Sequence, residues 1–204
     1  MGKELENELY NKYSKDKESI KKRIDDFRKL SEQEQFKEYL FCMLTPQSNA
    51  KKCWEAVEQI MNNQNKSEKE ISMILKTRTR FYNNKTRYVL NGFENWNFIK
   101  SKLDNGNIVE LRNWLAENVN GYGLKEASHF LRNIGKSDNK IAILDRHILR
   151  NLKSLDVIPE ANIKNKKNYF EIEESFIKFA EQTGIPIDEL DLLFWSKETG
   201  EIFK

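Results

Sequence analysis

Gly121, Gly123, Lys125 and Asp145 are the residues of this chain whose types and spacing could do chemistry. Asn120-Gly121-Tyr122-Gly123-Leu124-Lys125 sets two glycines around a tyrosine, with a lysine just beyond; Asp145-Arg146-His147 follows later in the chain. Glycine adopts positive φ without a Cβ penalty, so Gly121 and Gly123 are expected to turn the chain and bring bare N–H groups against a phosphate. A helix from about Leu124 would add the partial positive charge of its N-terminus. A plain connector between two helices has the same local spacing. Lys125 falls in that helix's first turn, where the dipole disfavours an ammonium, as a nucleophilic amine requires. A lysine that only touches a phosphate would also fit there. Asp145 ends the apolar run Ile141 to Leu144 and opens a segment with His147, Ile148, Leu149 and Leu152. As an N-cap its carboxylate is held by backbone N–H groups, and a fixed anion beside a sugar stabilises the positive charge that develops when a glycosidic bond breaks. His147 reads as a helix-surface or packing residue, and with His129 the only other histidine a His-rich zinc site is not expected.

Helices must position these groups. Apolar residues recur at three and four in Phe36, Tyr39, Leu40, Met43 and Leu44, in Trp54, Val57, Ile60 and Met61, and in Ile108, Leu111, Leu115 and Val119. No segment reads as a convincing strand. The helix after the hairpin should bury Ala127, Phe130, Leu131 and Ile134 and stop at Gly135 as its C′ residue. Breaks are expected at Thr45 to Ser48, Asn62 to Lys66, Asn91-Gly92, Asn105-Gly106, residues 121–123, Gly135 to Asn139, Ile158-Pro159 and Gly184 to Pro186. These give about nine or ten helices and an all-α fold.

Composition bounds the rest. The 204 residues suit one large domain or two small ones, and 38% hydrophobic content with 11% aromatic supports a packed core despite 33% charged residues. The net charge of +3 (35 basic minus 32 acidic) puts any nucleic-acid affinity in local patches. One patch lies between Ile71 and Phe93, where Lys76, Arg78, Arg80, Lys85 and Arg87 interleave with Phe81, Tyr82 and Tyr88 and no acidic residue intervenes. That mixture suits phosphate contact with base stacking, although a solvated helix face has similar charges. No apolar run suits a membrane span, and the acidic start Met1 to Glu6 lacks signal-peptide character. Cys42 and Cys53 sit among apolar neighbours, as inert buried thiols do; an iron–sulfur cluster needs about four cysteines and is not expected.

These residues resemble the helix-hairpin-helix DNA glycosylases. The resemblance covers Val119 to Leu152 closely, through Gly-Tyr-Gly-Leu-Lys-Glu-Ala and Leu-Asp-Arg-His-Ile. The segment Gly121 to Gly135 and the ending Leu190 to Gly200 are similar to the archaeal-type, second class of 8-oxoguanine DNA glycosylase/AP lyases. The resemblance implies a helical barrel of about residues 29–136 carrying the hairpin (about 107–135), and a second lobe from 1–28 plus 137–204, flanking a DNA-binding groove. It implies Lys125 as Schiff-base nucleophile and Asp145 as its electrostatic partner, with strand cleavage by β-elimination. It makes Phe81 and Trp195 candidates to stack on the extruded base, and the carboxylate of Lys204 a candidate to read N7–H of the oxidised guanine. Helical spacing from Leu192 equally allows Trp195 to be core. Gln47 is the candidate to fill the gap left by the flipped base, and Ser48 the candidate cap of the next helix. Gly121, Tyr122, Gly123, Arg80, Lys85 and His147 complete the expected DNA contacts. The implied partner is double-stranded DNA containing oxidised guanine, bound by a cytoplasmic or nucleoid-associated monomer that needs no cofactor; whether the hairpin carbonyls hold a monovalent cation stays open. Two rivals remain: a glycosylase for oxidised pyrimidines, and a non-catalytic helix-hairpin-helix binding module, which would explain the hairpin but not Lys125 with Asp145.

Overall fold

The computed structural model describes residues 2–63, 67–104 and 106–204, and for residues 2–6 the backbone alone. The expected breaks at Asn62 to Lys66 and Asn105-Gly106 fall partly outside these residues, as does Met1 of the acidic start. Among the described residues the protein is helical without strands: α1 (Gly2–Arg28), α2 (Glu32–Leu44), α3 (Ala50–Asn62), α4 (Glu68–Lys76), α5 (Tyr82–Leu103), α6 (Ile108–Asn118), α7 (Leu124–Asn133), α8 (Arg146–Ser154), α9 (Lys166–Thr183) and α10 (Ile187–Thr199). None of these helices is long and apolar enough to cross a membrane.

The chain divides into two compact units. One, Leu30–Phe130, holds α2 to α6, the hairpin and the start of α7. Its helices begin where side chains satisfy the free N–H groups: Ser31 and Glu34 form a reciprocal capping box on α2, Asn49 caps α3, and Ser67 caps α4. Leu40, Phe41, Leu44, Cys53, Val57, Leu75, Val89 and Leu115 are fully buried at its core. The break expected at Asn91-Gly92 does not occur, because α5 runs unbroken from Tyr82 to Leu103. Gly92 faces α2 instead, where a Cβ would lie 3.2 Å from both Leu40 Cδ2 and Tyr39 Cε1. Glycine there serves close helix packing, which outweighs its poor helix propensity.

The other unit combines Met1–Lys29 with Leu131–Lys204, so the border falls within α7. Ile20, Phe27, Ile148, Leu152, Phe176, Leu190 and Phe194 form its core, and Phe176 stacks on Phe194 at 5.9 Å. Buried polar pairs fix the helices: Tyr13 Oη donates to Glu189 at 2.6 Å, and Arg132 Nη2 to Asp191 Oδ2 at 2.8 Å. Ser137 donates to Asp188, whose carboxyl is nonetheless pushed up by burial. Gly135 ends α7 at φ +70°, and Lys136 N–H donates to Leu131 C=O at 2.8 Å, closing the helix as a glycine C′ residue does.

Candidate functional site

The hairpin is built by the end of α6, residues 119–123 and the start of α7. Only one of its glycines needs to be glycine for conformational reasons. Gly121 has φ +86°, and a Cβ there would come within 2.6 Å of Tyr88 Cδ2. Gly123 is not at positive φ, contrary to expectation, and a Cβ there would meet only Glu126 Oε2 at 3.2 Å. Gly123 instead stands just before α7, and its N–H donates to Glu126 Oε2 at 3.1 Å. That is half of a capping box: the N3 carboxylate reaches back, but glycine has no hydroxyl to return the bond. Tyr122 turns its side chain inward. Its ring is buried against Tyr39 (5.4 Å) and Phe130 (6.1 Å), its hydroxyl donates to Tyr39 C=O at 2.9 Å, and burial raises its pKa well above the usual phenol value. A side chain so enclosed anchors the hairpin to α2 and has no hydroxyl left to offer DNA.

Lys125 is the second residue of α7, about three-quarters buried, with Nζ 3.5 Å from Glu126 Oε1. Glu126 therefore touches both the hairpin N–H and the lysine. The sequence signal for it was the Gly-x-x-Glu spacing at a helix start, which the preceding glycine obscured.

Two loops of the same unit carry further candidates. Gln47 is exposed at φ +55°, and Phe81 is 54% exposed at φ +56°. Both are left-handed non-glycine residues, a conformation that surrounding bonds must enforce. The Arg80 guanidinium lies 5.4 Å from the Phe81 ring centre, leaving an exposed cation and aromatic face together. Ser48 is not the cap of α3; Asn49 accepts from Lys52 N–H at 3.1 Å and takes that role. Ser48 Oγ accepts from Arg80 N–H at 2.9 Å and from Lys85 Nζ at 2.8 Å. Lys85, expected to face phosphate, is 3% exposed and also donates to Leu44 C=O (2.7 Å) and Pro46 C=O (2.8 Å). Three acceptors use its three N–H groups, so it shapes the loop from within and has none left for DNA. Burial pushes its pKa down to about 8. The neighbouring Cys53 thiol is pushed up to about 11, again by burial, and donates to Leu44 C=O at 3.2 Å; both cysteines are buried and neither forms a disulfide. Of the basic run, Lys76, Arg80 and Arg87 are exposed.

The remaining candidates belong to the other unit. Asp145 is half-buried and caps α8, its Oδ1 accepting from His147 N–H (2.7 Å) and Ile148 N–H (2.9 Å). Among the described residues no hydrogen bond reaches its Oδ2. The carboxylate is thus fixed in place with one oxygen available. His147 is largely buried, Nδ1 3.6 Å from Glu198 and Nε2 3.3 Å from the Arg146 Nε donor. Trp195 is half-buried on α10, 6.2 Å from the Phe203 ring. Phe203 C=O accepts from Arg23 Nε at 2.7 Å, and Lys204 is 7% exposed with Nζ over the Phe203 ring. Residues 203 and 204 are therefore tied to α1 and α10. Among the described residues no group of three or more His, Cys, Asp or Glu is placed to hold a metal.

A helical protein with a glycine hairpin, a lysine in the first turn beyond it and an aspartate capping a later helix matches a known class. The sequence fits the 8-oxoguanine DNA glycosylase family over residues 20–185, and the chain belongs to that family. It is 40% identical to the 8-oxoguanine DNA glycosylase/AP lyase of Fusobacterium nucleatum, over 97% of each chain. It is 35% identical to the enzyme of that name from Methanocaldococcus jannaschii, over 95% of each. Among solved structures, the 8-oxoguanine DNA glycosylase of Thermotoga maritima superposes with a TM-score of 0.88 at 29% identity, covering all of both chains. The Methanocaldococcus jannaschii glycosylase/lyase in complex with a 15mer DNA containing 8-oxoguanine gives 0.85 at 33% identity over 98% of each chain.

Proposed function

We propose that this chain excises 8-oxoguanine from double-stranded DNA and then cleaves the strand at the resulting abasic site. The observation that carries it is Lys125 in the first turn of α7, directly after the Gly121 hairpin, in a chain of this family. The damaged nucleotide leaves the stack, at a cost of about a few kcal/mol. The unprotonated Lys125 amine attacks C1′, the C1′–N9 bond breaks, and the base departs with the electron pair. Asp145 stabilises the positive charge on the sugar through its available oxygen. Ring opening gives a Schiff base between Nζ and C1′. Loss of a C2′ proton then expels the 3′ phosphate by β-elimination. Phe81 offers an exposed ring for the extruded base, Trp195 and Lys204 supply its recognition, and Gln47 fills the gap. We place the enzyme in the cytoplasm, on nucleoid DNA, acting as a monomer.

The test is strand cleavage of duplexes containing one 8-oxoguanine, one oxidised pyrimidine or no lesion. Cleavage of the first duplex, lost in Lys125→Gln with DNA binding retained, is the expected result. Binding without cleavage of any duplex would favour the non-catalytic module, and preference for the pyrimidine lesion would reassign the substrate.

A further inference from the structure

We propose that Lys85 is a positioning residue: through Ser48 it locks the Gln47 loop and the Phe81 turn into one arrangement, and so governs base extrusion without touching DNA. This rests on the glycosylase function proposed above. Lys85 Nζ reaches three acceptors, Leu44 C=O, Pro46 C=O and Ser48 Oγ, at 2.7 to 2.8 Å. All three belong to the end of α2 and the loop that follows it. Ser48 Oγ accepts in addition from Arg80 N–H at 2.9 Å. One hydroxyl therefore joins the loop of Gln47 to the turn of Phe81, and the buried ammonium holds that hydroxyl. Both exposed residues sit at positive φ, where non-glycine backbone persists only if its surroundings hold it. Phe81 has no side-chain cap bond of its own at the start of α5, so the Arg80 N–H bond to Ser48 is its adjacent restraint.

The restraint is also sensitive to pH. Besides its three acceptors, Lys85 feels Cys53 on α3, Arg80 in the adjoining turn, and Lys125 and Glu126 on α7; burial is the largest influence and brings its pKa down to about 8. The charged form supplies three N–H donors. As pH rises through about 8 one donor is lost and the lock loosens.

The experiment compares single-turnover excision of 8-oxoguanine with cleavage of a preformed abasic site, which presents no base to extrude or stack. Wild type, Lys85→Met and Ser48→Ala are measured from about pH 6.5 to about pH 9.5, across the titration. Lys85→Met should lower excision about tenfold to a hundredfold more than abasic cleavage, the scale on which a misplacement of about 1 Å acts. Lys85→Arg should not restore it, because a planar guanidinium cannot meet three converging acceptors. The excision-to-cleavage ratio should fall above about pH 8 in the wild type and stay flat in Lys85→Met. Ser48→Ala, which leaves Lys85 its two carbonyl acceptors, should lower the ratio in the same direction and carries the test if Lys85→Met does not fold. Unchanged ratios in the folded variants, with a wild type that excises, would overturn the positioning role. A wild type that excises nothing would instead overturn the proposed function.

Discussion

Replacing each hairpin glycine by alanine separates two residues that look equivalent in sequence. Gly121 sits at φ +86°, where an L-residue costs about 1–2 kcal/mol. The new Cβ would also lie 2.6 Å from Tyr88 Cδ2 and 3.1 Å from Cε2, well inside contact distance. Tyr88 must then leave its rotamer, at a further cost of about 0.5–1.5 kcal/mol. Gly121→Ala should therefore lose about 1.5–3.5 kcal/mol of stability. Gly123→Ala meets only the end of the flexible Glu126 side chain at 3.2 Å, at ordinary φ, and should stay within about 1 kcal/mol of wild type. Urea unfolding followed by circular dichroism measures both, with the midpoint as readout. Equal losses in the two variants, or a larger loss at Gly123, would refute the assignment of Gly121 as the conformationally required residue.

Tyr122→Phe should cost about 1 kcal/mol through loss of the bond to Tyr39 C=O while leaving duplex affinity unchanged, as titration with an uncleaved duplex would show. Asp145→Asn keeps an oxygen acceptor for the two N–H groups of α8 and removes the charge. Thermal unfolding should barely move, while excision falls by about tenfold or more, with a charge-independent excision rate as the contrary result. Arg132→Met removes the buried charge partner of the Asp191 carboxylate and should destabilise by roughly 3–5 kcal/mol, much of it recovered in Arg132→Met with Asp191→Leu.

Local chemistry was legible in the sequence. The all-helical fold followed from periodicity, the stop at Gly135 from its place after Ile134, and the cap at Asp145 from a carboxylate preceding an apolar helix. Residues whose roles depend on distant partners were not. Lys85 looked like one more cation of a basic patch because its acceptors lie near residues 44–48. Tyr122 reads in the sequence only as part of the DNA-gripping hairpin because Tyr39, which accepts its hydroxyl, is remote in the chain. Gly92 looked like a helix break because its need for space comes from α2. Glu126 is the local exception: its spacing from Gly123 is in the sequence, but glycine lacks the hydroxyl that marks the other half of a capping box.

Borohydride trapping on a duplex containing 8-oxoguanine, followed by peptide mapping of the protein–DNA adduct, tests the central claim most directly. A reduced Schiff base on Lys125, absent in Lys125→Gln, is the expected result. An adduct on another residue, or none while the lesion is still excised, would contradict Lys125 as the nucleophile.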